Sequence, residues 1–147
     1  MKILIDADAC PVVKIVERIA KEKEIPLTLV CDTSHVLHSE YATTVLVDKG
    51  ADSADFRLIM LSEAGDILVT QDYGVAAMAL GKGVSPIHQS GKWYTDDNID
   101  AMLMERDIAK KERRKSNKHH LKGPKKRTVE DDERFEASFR QLVDELK

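Results

Sequence analysis

Short apolar runs and helix-patterned segments take strict turns along about the first ninety residues. Lys2 to Asp6 reads as a strand, Pro11 to Lys23 as a helix and Leu27 to Cys31 as a second strand. The pattern repeats with Thr43 to Asp48 as a third strand, Ser53 to Glu63 as a helix and Asp66 to Thr70 as a fourth strand. Tyr73 to Gly81 follows as helix and Val84 to His88 as a short fifth strand. Consecutive parallel strands need a crossover to bring the chain back to the same edge, so the alternation predicts βαβ units and an open α/β sheet.

At 147 residues the chain suits one globular unit, residues 1–147, with a tail. Apolar residues at 42% and charged residues at 33% argue against a disordered or fibrous chain. No apolar run approaches membrane-spanning length, and the N-terminus has no apolar signal segment. Cys10 and Cys31 form no CxxC spacing. These features predict a cytoplasmic protein with reduced thiols and no membrane partner.

The net charge of −3 hides an asymmetry. Lys110 to Arg127 holds ten Lys or Arg against one acid, Glu112, so this stretch is about +9 and the remainder near −12. Thr95 with Asp96 and Asp97 is read as opening a helix through Ile99, Met102, Leu103 and Arg106 that dissolves into charge, leaving a basic loop or arm at about 110–127. Thr128 and Asp131 form a capping-box-like start, and Phe135, Phe139, Leu142 and Leu146 make the stripe of a docking helix at about 128–146. Pro11 suits the first position of its helix.

Acids sit at three strand-to-helix turns: Asp6 and Asp8 in "DADACPV", Asp52 and Asp55 in "GADSADFRL", and Asp72 in "TQDYGVA". A single aspartate at such a turn is explained by helix capping and the helix dipole. Two of the turns supply a pair, which one cap does not need. In a parallel sheet the carboxyl ends of the strands open on one edge, where turns beside the switch in strand order converge. Carboxylates gathered there repel unless a cation joins them, and a hard ion with oxygen ligands, Mg2+ or Mn2+, is the economical one. Such a site points to phosphodiester hydrolysis without a protein nucleophile.

"DADACPV", "GADSADFRL", "TQDYGVA" and "KGPKKRTVEDDERF" resemble, in order and spacing and over nearly the whole chain, the YaiI/YqxD family of bacterial proteins. The fold of that family is similar to that of PIN-domain nucleases. The resemblance implies a three-layer α/β/α sandwich with a mostly parallel central sheet and an acidic, metal-binding crevice. It implies Asp6 as the first-strand ligand, Asp52 or Asp55 as the acid on the middle helix and Asp72 as the acid after the fourth strand. Asp8 belongs to the family's own motif, and capping, support of a ligand and direct ligation all fit it.

The expectation that follows is a Mg2+- or Mn2+-dependent nuclease, acting on RNA rather than DNA, with Asp6, Asp52, Asp55 and Asp72 catalytic and Asp8 joining them at the metal. Lys111, Arg113, Arg114, Lys115, Lys118, Lys122, Lys125, Lys126 and Arg127 are read as tracking a phosphate backbone. The alternatives are a non-catalytic nucleic-acid-binding protein and, on the strength of "DAD" after a strand, a haloacid-dehalogenase-like phosphatase. Asp32, Ser34 and His35 are read as a turn, Cys10 as a small buried residue, and Trp93 with Tyr94 as core rather than a base platform. The five histidines, His35, His38, His88, His119 and His120, receive no catalytic role. Monomer and homodimer both stay open.

Overall fold

The computed structural model describes residues 1–32, 39–49, 53–115 and 126–147. Its strands are β1 (Ile3–Asp6), β2 (Leu27–Asp32), β3 (Thr43–Val47), β4 (Ile67–Val69) and β5 (Ser85–Ile87). Its helices are α1 (Val13–Glu22), α2 (Ser53–Leu61), α3 (Tyr73–Gly81), α4 (Ile99–Lys115) and α5 (Val129–Leu146). The strands form one sheet in the order β3-β2-β1-β4-β5, and every pairing in it is parallel. The α/β class read from the alternation is therefore the one observed.

Side chains alternate across the sheet with a period of two. Ile3 and Ile5 of β1, with Leu29 and Val69 beside them, pack against Val16 and Ile19 of α1 and Phe135 and Phe139 of α5. Leu4, Val30 and Leu68 point the other way, to Leu58 of α2 and Val75 and Ala79 of α3. A third cluster seats α4 on α3 through Ile99, Met102, Ala76 and Tyr94. The result is a sandwich with the sheet in the middle, and Ile3, Leu4 and Ile5 of the central strand have no solvent exposure. Strands covered on both faces read as unbroken apolar runs, which is why β1 and β4 carry so little polarity.

The last helix is fixed at its start and along one flank. Thr128 Oγ1 accepts from the Asp131 amide at 3.2 Å, and Asp131 Oδ2 accepts from the Thr128 amide at 2.8 Å, a reciprocal capping box. Phe135 and Phe139 stack with centroids 5.5 Å apart, and Arg140 reaches Glu22 of α1 at 2.5 Å while Arg18 pairs with Glu136. Val143 is buried in the stripe, whereas Leu146 is exposed at the helix end.

Three sequence expectations need correcting here. Pro11 lies in a turn ahead of α1, with Val12 at the cap position, because the chain spends Ala7 to Val12 on turns after β1. The basic segment is not a loop from residue 110: α4 continues through Lys110–Lys115. No Gly or Pro interrupts "ERDIAKKERRK", its residues are good helix formers, and cations in a last turn are favoured by the helix dipole. Helix α4 is opened by Thr95 and Asn98 rather than by Asp96 and Asp97, since Thr95 N donates to Asn98 Oδ1 at 2.9 Å and Asn98 N to Thr95 Oγ1 at 3.3 Å. Among the described residues no helix is long and apolar enough to cross a membrane.

Candidate active site

The strand order runs outward from β1 to β3 on one side and resumes with β4 on the other, so the switch in order lies between β1 and β4. A crevice at the carboxyl ends of such strands is where α/β sheets bind ligands. Asp6 ends β1, and its carboxylate falls on the same side of the sheet as Thr70, just beyond β4. Thr70 Oγ1 donates to Asp6 Oδ2 at 3.2 Å and accepts from the Asp72 amide at 3.1 Å. One buried hydroxyl thus links the two turns.

Asp72 is the N-cap of α3, with Oδ1 accepting from the amides of Gly74 at 2.8 Å and Val75 at 3.2 Å. Capping accounts for this acid in part, and it still borders the cleft. Capping fails for the first turn, because no side chain caps α1. Asp8 instead reaches across to β2, where its two oxygens accept from the Asp32 amide at 3.3 and 3.1 Å. The turn that aims it is tight: the Cys10 amide donates to the Ala7 carbonyl at 3.3 Å and Ala9 takes the left-handed φ of 55°. A non-glycine residue there is strained, a condition that persists where the surroundings demand it.

Electrostatics separate Asp6 from an ordinary structural aspartate. Burial pushes its carboxyl up, the charges of Asp55, Asp8 and Asp72 push further, and only the Thr70 hydrogen bond opposes them, leaving it at about 6. Among the described residues, the charges that act most on Asp6, those of Asp55, Asp8 and Asp72, are all negative. Asp66 is also buried, yet it is held below the usual range: burial alone would raise it, but Lys2 Nζ at 2.7 Å, the Lys2 amide at 3.0 Å and the Glu63 amide at 2.8 Å all donate to it. The two acids sit at opposite ends of the β1–β4 pair, and one is compensated while the other is not.

A cleft of about 670 Å3 opens over these carboxylates, with Asp6, Asp8 and Asp72 at its base and Gln71 and Tyr73 beside them. Its far wall is α4, through Glu105, Ala109 and Lys110. Asp55, in the first turn of α2, acts on Asp6 through space. Glu105, Lys110, Thr70 and Tyr73 were not among the acids and bases singled out in the sequence. The i,i+4 spacing of Glu105 and Ala109 puts those two on one face of α4, with Lys110 at its flank, but only once α4 is known to run that far.

Asp52, Lys118, Lys122, Lys125, Ser34, His35, His38, His119 and His120 lie outside the described residues. Arg113, Arg114 and Lys115 lie on the last turn of α4, while Lys111 and Lys126 are exposed. Arg127 is engaged within the chain, with Nε on Asp132 Oδ1 at 2.5 Å and a terminal nitrogen on the Gln89 carbonyl at 2.9 Å. Burial pushes the Cys10 thiol up, which opposes a nucleophilic role. Tyr94 is core, 3% exposed, with its hydroxyl on the Thr70 carbonyl at 3.1 Å.

Among the described residues no three His, Cys, Asp or Glu side chains are grouped as ligands for one ion. Mg2+ commonly keeps most of its water and takes one or two carboxylates, with substrate phosphate completing the shell. The donor set is all oxygen and all anionic, and Asp6 with its acidic neighbours fits that lesser demand.

The family profile described as "Uncharacterized BCR, YaiI/YqxD family" matches residues 4–145. A UPF0178 protein of Clostridium acetobutylicum is 66% identical over 143 residues, 97% of each chain. Another, from Lachnoclostridium phytofermentans, is 52% identical over 144 residues, again 97% of each. The crystal structure of a Bacillus subtilis Rae1 (YacP) variant aligns with all of both chains at 13% identity and a TM-score of 0.47, too slight a likeness to support an argument.

Proposed function

The chain belongs to the YaiI/YqxD family, and from that premise we propose a cytoplasmic, metal-dependent phosphodiester hydrolase of PIN-like type that acts on nucleic acid, RNA in preference to DNA. The observation that carries the reading is the uncompensated carboxylate of Asp6 beneath a cleft, surrounded by Asp8, Asp55 and Asp72. Leaving such a group without a cation costs stability, so a fold that retains the arrangement gains when a cation joins it.

Asp6 and one of its acidic neighbours, Asp55, Asp72 or Asp8, would hold Mg2+ or Mn2+ directly, the remaining acids meeting its water shell. Bound there, the ion would supply Lewis-acid charge and an acidified water. The chain's own groups do the rest. Thr70 fixes the rotamer of Asp6, the Asp32 amide fixes that of Asp8, and the α3 amides fix that of Asp72. Lys110, on the opposite wall, would meet a phosphate oxygen, and the cations at the end of α4 would draw in the polyanion.

A second reading, nucleic-acid binding without turnover, rests on the basic end of α4, which would meet a phosphate backbone with or without an ion. One experiment separates the two. Mn2+ is titrated into the wild type and Asp6→Asn by calorimetry, and each is incubated with single-stranded RNA and DNA. The hydrolase reading expects metal binding and RNA cleavage by the wild type and loss of both in the variant. Equal weak metal binding by both proteins would sink the site. Metal binding lost in the variant, with no cleavage by the wild type, would select the binding module.

A further inference from the structure

The described lining of the acidic cleft includes one aromatic side chain, Tyr73, and its position is set by other rings. Its ring meets that of Tyr94 edge-on, with centroids 5.7 Å apart at 65°, and lies 6.3 Å from the His88 ring at 59°. His88 and Tyr94 complete the triangle at 6.1 Å and 77°. Tyr94 cannot drift, since it is buried and its hydroxyl holds the Thr70 carbonyl. The chain that positions Tyr73 is therefore the one that positions Asp6, because both hang from Thr70. Tyr73 is half-buried, with its ring wedged against the cluster that joins α3 to α4 and part of it left to the cleft.

A rigid aromatic beside phosphate-handling groups suits a ligand that has both a π face and a phosphate. Lys110 of α4 and the carboxylates of Asp6, Asp8 and Asp72 line the same cleft as Tyr73. Resting on the reading above, we infer that Tyr73 is the platform on which one unpaired base of the nucleic acid stacks. A duplex hides the faces of its bases, whereas an unpaired base can lie on an aromatic ring, and such stacking tolerates any sequence. The ring is held before the ligand arrives, so little side-chain freedom is lost on binding. This gives the platform to a residue on α3, while Trp93 and Tyr94 serve the core.

The test uses fluorescence anisotropy with the full chain, Ca2+ replacing Mg2+ to hold back cleavage. The probes are a labelled single-stranded adenine oligonucleotide, an abasic deoxyribose-phosphate chain of the same length and the corresponding duplex. The wild type and Tyr73→Phe should bind the single strand about tenfold more tightly than the abasic chain, in line with the stacking of one base. Tyr73→Ala should bind the two alike. Tyr73→Leu, which fills the space without a π face, should match the alanine variant and keeps the test valid should that variant unfold. A 2-aminopurine base should be quenched by the wild type and not by Tyr73→Leu. A base-dependent gain that survives in Tyr73→Leu, or a duplex bound as tightly as the single strand, would overturn this inference alone. A wild type that binds none of the three probes would overturn the nucleic-acid reading and this inference with it.

Discussion

Thr70 Oγ1 donates to Asp6 Oδ2 at 3.2 Å, joining residues 64 positions apart across the β1–β4 pair. The same oxygen accepts the Asp72 amide, so one hydroxyl orders two acids and the start of α3. Replacing it with a group of the same shape, Thr70→Val, strands both partners and should cost about 1–2 kcal/mol in urea unfolding. The Asp6 carboxyl should titrate still higher by NMR, because the Thr70 bond is the influence that lowers it. Thr70→Ser should behave nearly as the wild type, and an Asp6 titration unmoved by the valine would refute the link.

Asp6 and Asp66 should shift stability with pH in opposite senses. Asp6 titrates at about 6 in the folded chain against an ordinary 3.8, so between those values the folded state holds a proton that the unfolded state has released. Its ionisation therefore opposes folding, with a penalty that grows as pH rises through that window and is complete above it. Asp6→Asn should raise stability above pH 6 by about 2 kcal/mol and confer nothing below pH 4. Asp66 is depressed, so its contribution is present above the ordinary carboxylate range and lost as pH falls through its folded value. Asp66→Asn should destabilise at neutral pH. Thermal unfolding of the three proteins across pH checks both signs.

Capping and chemistry can be separated at Asp72. Serine caps a helix almost as well as aspartate but brings no charge, whereas alanine loses about 1 kcal/mol of capping. Asp72→Ser should keep near wild-type thermal stability and Asp72→Ala should not. Both should lose Mn2+-dependent turnover of RNA. Full activity in the serine variant would reduce Asp72 to a cap.

The basic residues should divide into two groups. Arg127 is tied to Asp132 and to the Gln89 carbonyl, so Arg127→Ala should lower stability by about 1–2 kcal/mol and barely alter the salt dependence of nucleic-acid binding. Exposed Lys111 has the reverse profile: Lys111→Ala should leave unfolding unchanged and flatten the salt slope by about one ion. Binding measured over a salt series, beside urea unfolding, distinguishes them.

The fold was legible because alternation of short strands and helices is a local pattern, and parallel pairing follows from it. Asp6 and Asp72 were legible for a related reason, since strand ends on one edge of a sheet must share a neighbourhood. The far wall was not. Apolar periodicity fades after Leu103, and the charged residues that follow look like a solvated arm unless their helix propensity is given equal weight. Glu105 and Lys110 reach the cleft only through the packing of α4 on α3. Thr70 looked like the unremarked end of a strand, because its partner lies 64 residues back. Asp8 kept several readings until its bond to the Asp32 amide excluded α1 capping.

The order of the strands also bears on how the chain is made. Within this chain β1 with Asp6 is made before its neighbours, and β2 and β3 can join it while the later elements are still being synthesised. The opposite edge of β1 stays empty until β4 emerges, and the wall bearing Lys110 follows only after β5. A partly made chain therefore presents the acid without its cleft. Under the proposed function, a product that stops short of α4 would lack the wall bearing Lys110 and assemble no complete site for a polyanion.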